Sequence, residues 1–253
     1  MKIALIQATI YWENPSENRK QFEQKINAIS EKVDLIVLPE MFTSGFTMNP
    51  EIVAETMKGE TISLLKKVAK QKNCAITGSL VISENKNFYN RMVFIFPDGK
   101  IEYYDKKHLF TLAGEDKVYK SGNQKKIVEY KDFKICLQIC YDLRFPVFAR
   151  NKENYDVLIY VANWPKPRIN AWNILLKARA VENMCYVIGV NRVGKDFNNH
   201  EYTGHSQVID YLGDYVLEPQ ELVAIYTIEL NKSIMIETRN RLGFLKDVDF
   251  FEI

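Results

Sequence analysis

Apolar residues in this chain come in short runs, the longest being the six residues Val157 to Ala162. A run of that length between polar and turn residues suits a strand buried on both faces. It falls far below the roughly 18 apolar residues that suggest a membrane-crossing helix. Lys2 to Thr9 alternates as a buried strand, and Leu35-Ile36-Val37-Leu38 makes a second, fully apolar one ended by Pro39. Ser16 offers an N-cap to a helix with Phe22, Ile26 and Ile29 on one face, and Ile62, Leu65 and Val68 mark another helix after a glycine-containing loop. A strand-helix alternation therefore repeats. From Cys74 to Asp105 the pattern changes to consecutive strands, with Pro97-Asp98-Gly99-Lys100 as a hairpin turn between Met92-Phe96 and Ile101-Tyr104.

Residues 133 to 140 and 156 to 162 read as further strands, as do 184 to 192, 203 to 210 and 222 to 230. Ile169 to Asn183 reads as a helix carrying Trp172, Leu175, Leu176 and Val181 in helical spacing. No Ser/Gly/Pro linker, charge block or internal repeat divides the series. The expectation is one α/β domain over 1–253, with mixed sheets flanked by helices. Arg241 to Ile253 keep Leu242, Phe244, Leu245, Phe250 and Phe251 without periodicity, a tail expected to pack on this chain or on a partner subunit.

Composition narrows the function classes. Lys and Arg number 34 and Asp and Glu 32, a net charge of +2 that proposes neither nucleic acid nor an anionic membrane as partner. After Met1-Lys2 only four apolar residues precede Gln7, too short for a signal-peptide core. Four cysteines without a CxxC suit a reducing cytoplasm. Three histidines, with no HExxH, leave the common zinc signatures missing, so catalysis is expected to run on side chains with neither metal nor cofactor.

Three polar groups sit just past predicted strand ends, where open α/β sheets place their crevices: Glu40, Lys106 and Cys140. Taken singly, each has a plain reading, as a solvated loop carboxylate, a surface lysine and a buried structural thiol. Lys107 suits the surface role better than Lys106. In Phe133 to Cys140, Ile135, Leu137 and Ile139 alternate with Cys136 and Gln138, so Cys140 ends the strand facing away from the isoleucines. A thiol at such a strand-to-turn junction is presented outward, and the backbone N–H of Tyr141 can meet an oxyanion. Together the three groups supply a nucleophile, a carboxylate base and a fixed cation for attack on a carbonyl. Asp142 and Arg144 read as a structural pair holding the turn.

The strings LPEMFTSGF (38–46), YDKKHLF (104–110), ICYDLRFP (139–146) and VANWP (161–165) strongly resemble the nitrilase superfamily of carbon–nitrogen hydrolases. ARAVEN (178–183), NRVG (191–194) and YTGHS (202–206) extend the likeness over nearly the whole chain. Within it, the combination with Gly114-Glu115 and NWPxPR is most similar to the bacterial omega-amidase branch, which hydrolyses the terminal amide of 2-oxoglutaramate and related 2-oxo acid amides. The resemblance implies a four-layer α-β-β-α sandwich and a homodimer joined through a helical face. It also implies a small amide as substrate and no cofactor. It makes Glu40 the general base, Lys106 the oxyanion cation, Cys140 the nucleophile and Glu115 a second glutamate that positions Lys106 or the leaving group. Phe46 and Trp164 would line the pocket. The substrate carboxylate needs a cation, and Arg168, after the proline-stiffened Asn163-Trp164-Pro165-Lys166-Pro167, is the candidate, with a solvated loop arginine as its plain alternative. Rival readings are a metal-dependent phosphoesterase built on Glu40, a cysteine enzyme using His108 or His205, and a non-catalytic binding protein of the same fold. The thioester of the first reading could also pass to an amine instead of water.

Overall fold

Strands buried on both faces must find cover on both faces, and a computed structural model describing residues 1–249 shows how they do so. The first strands are β1 (Lys2–Gln7), β2 (Leu35–Val37), β3 (Ala75–Glu84), β4 (Asn87–Ile95) and β5 (Ile101–Asp105). Then come β6 (Lys126–Tyr130), β7 (Phe133–Ile139), β8 (Val157–Ala162), β9 (Tyr186–Asn191), β10 (Val193–Lys195) and β11 (Glu201–Thr203). β12 (Ser206–Ile209), β13 (Tyr215–Gln220) and β14 (Ala224–Glu229) complete the series. They form two six-stranded sheets, ordered β14-β1-β2-β3-β4-β5 and β13-β12-β9-β8-β7-β6, and β10 pairs with β11 as a separate ribbon. Both large sheets are mixed: β2 runs parallel to β1 and β3, and β8 parallel to β7 and β9, while the outer strands are antiparallel.

Side chains alternate across a strand, so each run serves two cores. Ile3, Leu5, Leu35, Val37 and Phe94 of the first sheet meet Ile135, Leu137, Ile139, Ile159 and Ile188 of the second between the sheets. Their neighbours Ala4, Ile6, Ile36 and Leu38 face outward beneath Phe22 and Ile26 of helix Pro15–Asn27 and Ile62, Leu65 and Val68 of helix Glu60–Lys72. On the other side Cys136, Leu158, Tyr160 and Val187 lie beneath Trp172, Leu176 and Ala180 of helix Ile169–Asn183. Each such large aliphatic side chain contributes about 1.5–3 kcal/mol on burial. Helix, sheet, sheet and helix are the four layers expected. Gly189 lets helix Ile169–Asn183 lie close on its sheet, since a Cβ there would stand 2.6 Å from Leu176 and 2.7 Å from Trp172.

Several sequence expectations need correction. The first helix is capped by Asn14, not Ser16, because Pro15 lacks an N–H and fits the first helical position, where none is needed. Val181 does not join the buried stripe and is 51% exposed, since nine residues at 100° each place it opposite Trp172. The stretch 203–210 is two strands in different sheets, broken at Gly204 and His205, both in the left-handed region. Apart from these corrections, Phe244 of the tail is 57% exposed on this chain, which leaves packing on a partner subunit open to it, and Phe250 and Phe251 lie outside the described residues. Among the described residues no helix is long and apolar enough to cross a membrane.

Candidate active site

The carboxyl ends of the parallel strands converge on one crevice, as open α/β sheets favour. Glu40 follows β2, Cys140 follows β7 and Asn163 follows β8. Glu40 is fully buried, a place where a carboxyl group needs its oxygens supplied with donors. Lys106 Nζ (2.9 Å) and Asn90 Nδ2 (2.8 Å) donate to Oε1, and the Asn163 backbone N–H (2.7 Å) donates to Oε2. Lys106 stands directly after β5, also fully buried, and its Nζ bonds Glu115 Oε2 at 3.0 Å and Oε1 at 3.1 Å. Glu115 is oriented in turn by the Phe110 N–H at 2.6 Å and by Asn90 at 3.2 Å. Ser79 Oγ donates to Asn90 Oδ1 at 2.8 Å, which fixes the amide with its NH2 toward the two glutamates.

Burial works against the Lys106 ammonium, but Glu115 and then Glu40 outweigh it and hold its pKa above the ordinary lysine range. The Glu115 carboxyl is pushed up, chiefly by burial and further by Glu40, against the pull of Lys106. Lys106 therefore stays charged between two carboxylates.

Strict alternation would send Cys140 the way of Cys136, under the outer helix. Instead its φ of +46° puts it in the left-handed region, where a non-glycine residue is strained, and the chain turns into a 3-10 segment, Cys140–Arg144. The turn brings the half-buried thiol into a cavity of about 640 Å³, in the neighbourhood of Glu40 and Lys106. Burial first, then the Glu40 charge, raise the thiol's pKa well above its ordinary value, only partly opposed by Lys106. At rest Cys140 is thus a neutral thiol. Tyr141 lies at the start of the 3-10 segment, where the first N–H groups lack intrahelical acceptors.

Asp142 holds this elbow, but not through Arg144. Its carboxylate accepts the Ile139 N–H (2.9 Å), the Tyr104 hydroxyl (2.8 Å) and the His108 N–H (2.9 Å), and it lies 2.8 Å from His108 Nδ1. His108 also stacks on Phe145 with ring centres 3.7 Å apart. Arg144 is exposed and lines the cavity, its guanidinium 5.1 Å from the Trp164 ring. Phe46, Trp164 and Arg168 line the same cavity, and Arg168 stands 5.2 Å from the Phe110 ring. Among the described residues neither arginine has a carboxylate partner.

The structure thus gathers Glu40, Lys106, Glu115 and Cys140 and sets Tyr141, Phe46, Trp164 and Arg168 around them. The histidine rival lacks a base at the thiol, because neither His108 nor His205 lines the cavity that Cys140 opens into; His108 is held by Asp142 and His205 by Asn173 and Glu221. Sequence reasoning missed Asn90, which carries no signal in its strand, and Asn163, which sits unremarked inside VANWP.

A buried glutamate-lysine-glutamate chain beside an elbow cysteine, set between two sheets, defines a class, and the carbon-nitrogen hydrolase family pattern matches residues 2–240. The chain belongs to the carbon–nitrogen hydrolase family. Among its relatives, the omega-amidase YafV of Yersinia enterocolitica is 40% identical over 99% of this chain and 98% of its own. The 2-oxoglutaramate amidase of Bacillus subtilis is 34% identical over 97% of this chain and 96% of its own. A solved structure, the CN-hydrolase superfamily protein XC1258 of Xanthomonas campestris with an arsenic adduct in its active site, matches with a TM-score of 0.97 and 38% identity. The match covers 100% of this chain and 98% of that one.

Proposed function

We propose that this enzyme hydrolyses the terminal amide of 2-oxo dicarboxylic acid monoamides, 2-oxoglutaramate and 2-oxosuccinamate, to the acid and ammonia through a thioester on Cys140. The observation that carries the reading is the Glu40–Lys106–Glu115 network closed against the elbow thiol. The relatives named omega-amidase and 2-oxoglutaramate amidase support the substrate class, as do two arginines facing the cavity without carboxylate partners.

An ordinary thiol has a pKa of about 8.5 and an ordinary glutamate about 4.3, so the Cys140 proton moves to Glu40 only as the sulfur attacks. Addition to the amide carbonyl places negative charge on its oxygen, which the Lys106 ammonium and the Tyr141 N–H stabilise, each such donor being worth about 3 kcal/mol. Glu40 then returns the proton to nitrogen, the carbon–nitrogen bond breaks with its electron pair going to nitrogen, and ammonia leaves. Water activated by Glu40 cleaves the thioester and restores the thiol. Glu115 positions Lys106 throughout.

A cytoplasmic homodimer belongs to the same reading. Ile174 and Val181, seven residues apart on one face of helix Ile169–Asn183, are 57% and 51% exposed and suit a helix-to-helix contact between subunits.

Ammonia release from 2-oxoglutaramate is expected to exceed that from an uncharged aliphatic amide. Arg168→Ala should raise KM for the 2-oxo substrate about tenfold or more, since it removes a charge-assisted hydrogen bond that the neutral amide never makes. Equal effects on both substrates would remove Arg168 from the site. Faster hydrolysis of the neutral amide by the unmodified enzyme would overturn the substrate assignment.

A further inference from the structure

Asn163 is 5% exposed, lines the cavity beside Cys140, and touches Glu40 twice: its backbone N–H donates to Oε2 at 2.7 Å and its Nδ2 donates to the Glu40 carbonyl oxygen at 2.7 Å. The second contact fixes the side-chain amide, because the flipped orientation would oppose two oxygens. What remains is Oδ1, a buried acceptor with no hydrogen-bond partner among the described residues. Such an atom costs free energy unless something donates to it. The ammonium of the site is already committed, since Lys106 donates to Glu40 and Glu115. The donor must come from the cavity.

We propose that Asn163 Oδ1 accepts a hydrogen bond from the leaving nitrogen of the substrate amide and makes this enzyme selective for amides over esters of the same acid. The inference rests on the amidase reading above and adds to it the recognition of the leaving group. An acceptor on one N–H sets the rotation of the nitrogen. As the tetrahedral intermediate forms, conjugation with the carbonyl is lost, nitrogen turns pyramidal and its lone pair becomes localised and basic. With one N–H held by Oδ1, that lone pair can face the neighbouring Glu40, which gives up its proton. The carbon–nitrogen bond then breaks with its electrons on nitrogen, and the carbonyl re-forms from the oxyanion. An ester offers oxygen lone pairs at the same place, so Oδ1 meets an acceptor and repels it.

The test measures kcat/KM for two amide and methyl ester pairs, one from 2-oxoglutarate and one from butyrate, in the unmodified enzyme, Asn163→Ala and Glu40→Asp. Asn163→Ala is expected to lower the amide-to-ester ratio about 30-fold, equal to about 2 kcal/mol. Glu40→Asp, which displaces the proton donor without touching Oδ1, should slow both substrates and change the ratio far less. If Asn163 only steadies Glu40, Asn163→Ala will shift the ratio no more than Glu40→Asp does, and the proposal is overturned. Asn163→Ser, which supplies a smaller acceptor, should fall between the unmodified enzyme and Asn163→Ala, and carries the test if the alanine variant does not fold. Turnover of the butyrate pair alone would overturn the 2-oxo acid assignment while the ratio still judges Asn163. Turnover of neither pair would overturn both.

Discussion

Cys140→Ala is expected to remove amide turnover, a fall of at least about 10⁴-fold, because no other group can hold the acyl intermediate. The other cysteines cannot substitute. Cys74, Cys136 and Cys185 are fully buried, and burial pushes the Cys74 thiol up to about 11 and the other two higher still. A small alkylating amide should therefore label Cys140 alone in the folded enzyme, and peptide mass spectrometry showing the label on another cysteine with Cys140 free would sink the assignment. The pH dependence follows from the sign of the shift. Burial and Glu40 raise the Cys140 thiol, so the thiolate fraction of the free enzyme is small at neutral pH and grows as pH rises past 9. Alkylation should climb steadily with pH. A plateau reached below neutrality would instead reveal a preformed thiolate and exclude Glu40 as the base that works during attack.

The layers of the fold are legible because strands buried on both faces leave continuous apolar runs, as Leu35 to Leu38 and Val157 to Ala162 do. What escapes the sequence lacks that contrast. β13 is an edge strand with exposed and half-buried residues and a proline, so nothing separates it from a loop. Helix Lys232–Leu242 gathers its apolar residues as Ile234-Met235-Ile236, without a helical stripe. It is secured by polar contacts, Asn231 capping the Ile234 N–H at 3.2 Å and Arg239 reaching Asp156 at 3.1 Å. Such long-range contacts leave no local pattern.

The site divides in the same way. Glu40, Lys106 and Cys140 stand out because each follows a predicted strand, and Cys140 owes its place to a backbone turn that alternation alone does not contain. Asp142 and Arg144 look like a pair because they are two residues apart and opposite in charge. The 3-10 geometry separates them, giving Asp142 to Ile139, Tyr104 and His108 and Arg144 to the cavity. Asn90 is invisible for a different reason: its role depends on two glutamates 50 and 25 residues away meeting over one amide.

Lys106→Met is expected to lower kcat/KM at least about 10³-fold, whereas Lys107→Met should leave it within about twofold. The two lysines are neighbours, and successive side chains in an extended segment diverge. The structure sends Lys106 inward to Glu40 and Glu115, and leaves Lys107 partly exposed with its backbone N–H on the Tyr104 hydroxyl at 3.0 Å. Removing the ammonium acts twice. The oxyanion loses its cation, and two buried carboxylates are left facing one another, a change that costs about 3–5 kcal/mol when one partner of a buried pair is deleted. One carboxylate should then take up a proton, so the variant's remaining stability should increase as pH falls, opposite to the usual behaviour of a carboxylate paired with a cation. Thermal unfolding of Lys106→Met between pH 5 and 8, set beside its activity on 2-oxoglutaramate, separates the two effects. A Lys106→Met enzyme that is stable and active, with the loss falling on Lys107→Met instead, would show that Lys106 is not the cation the oxyanion meets.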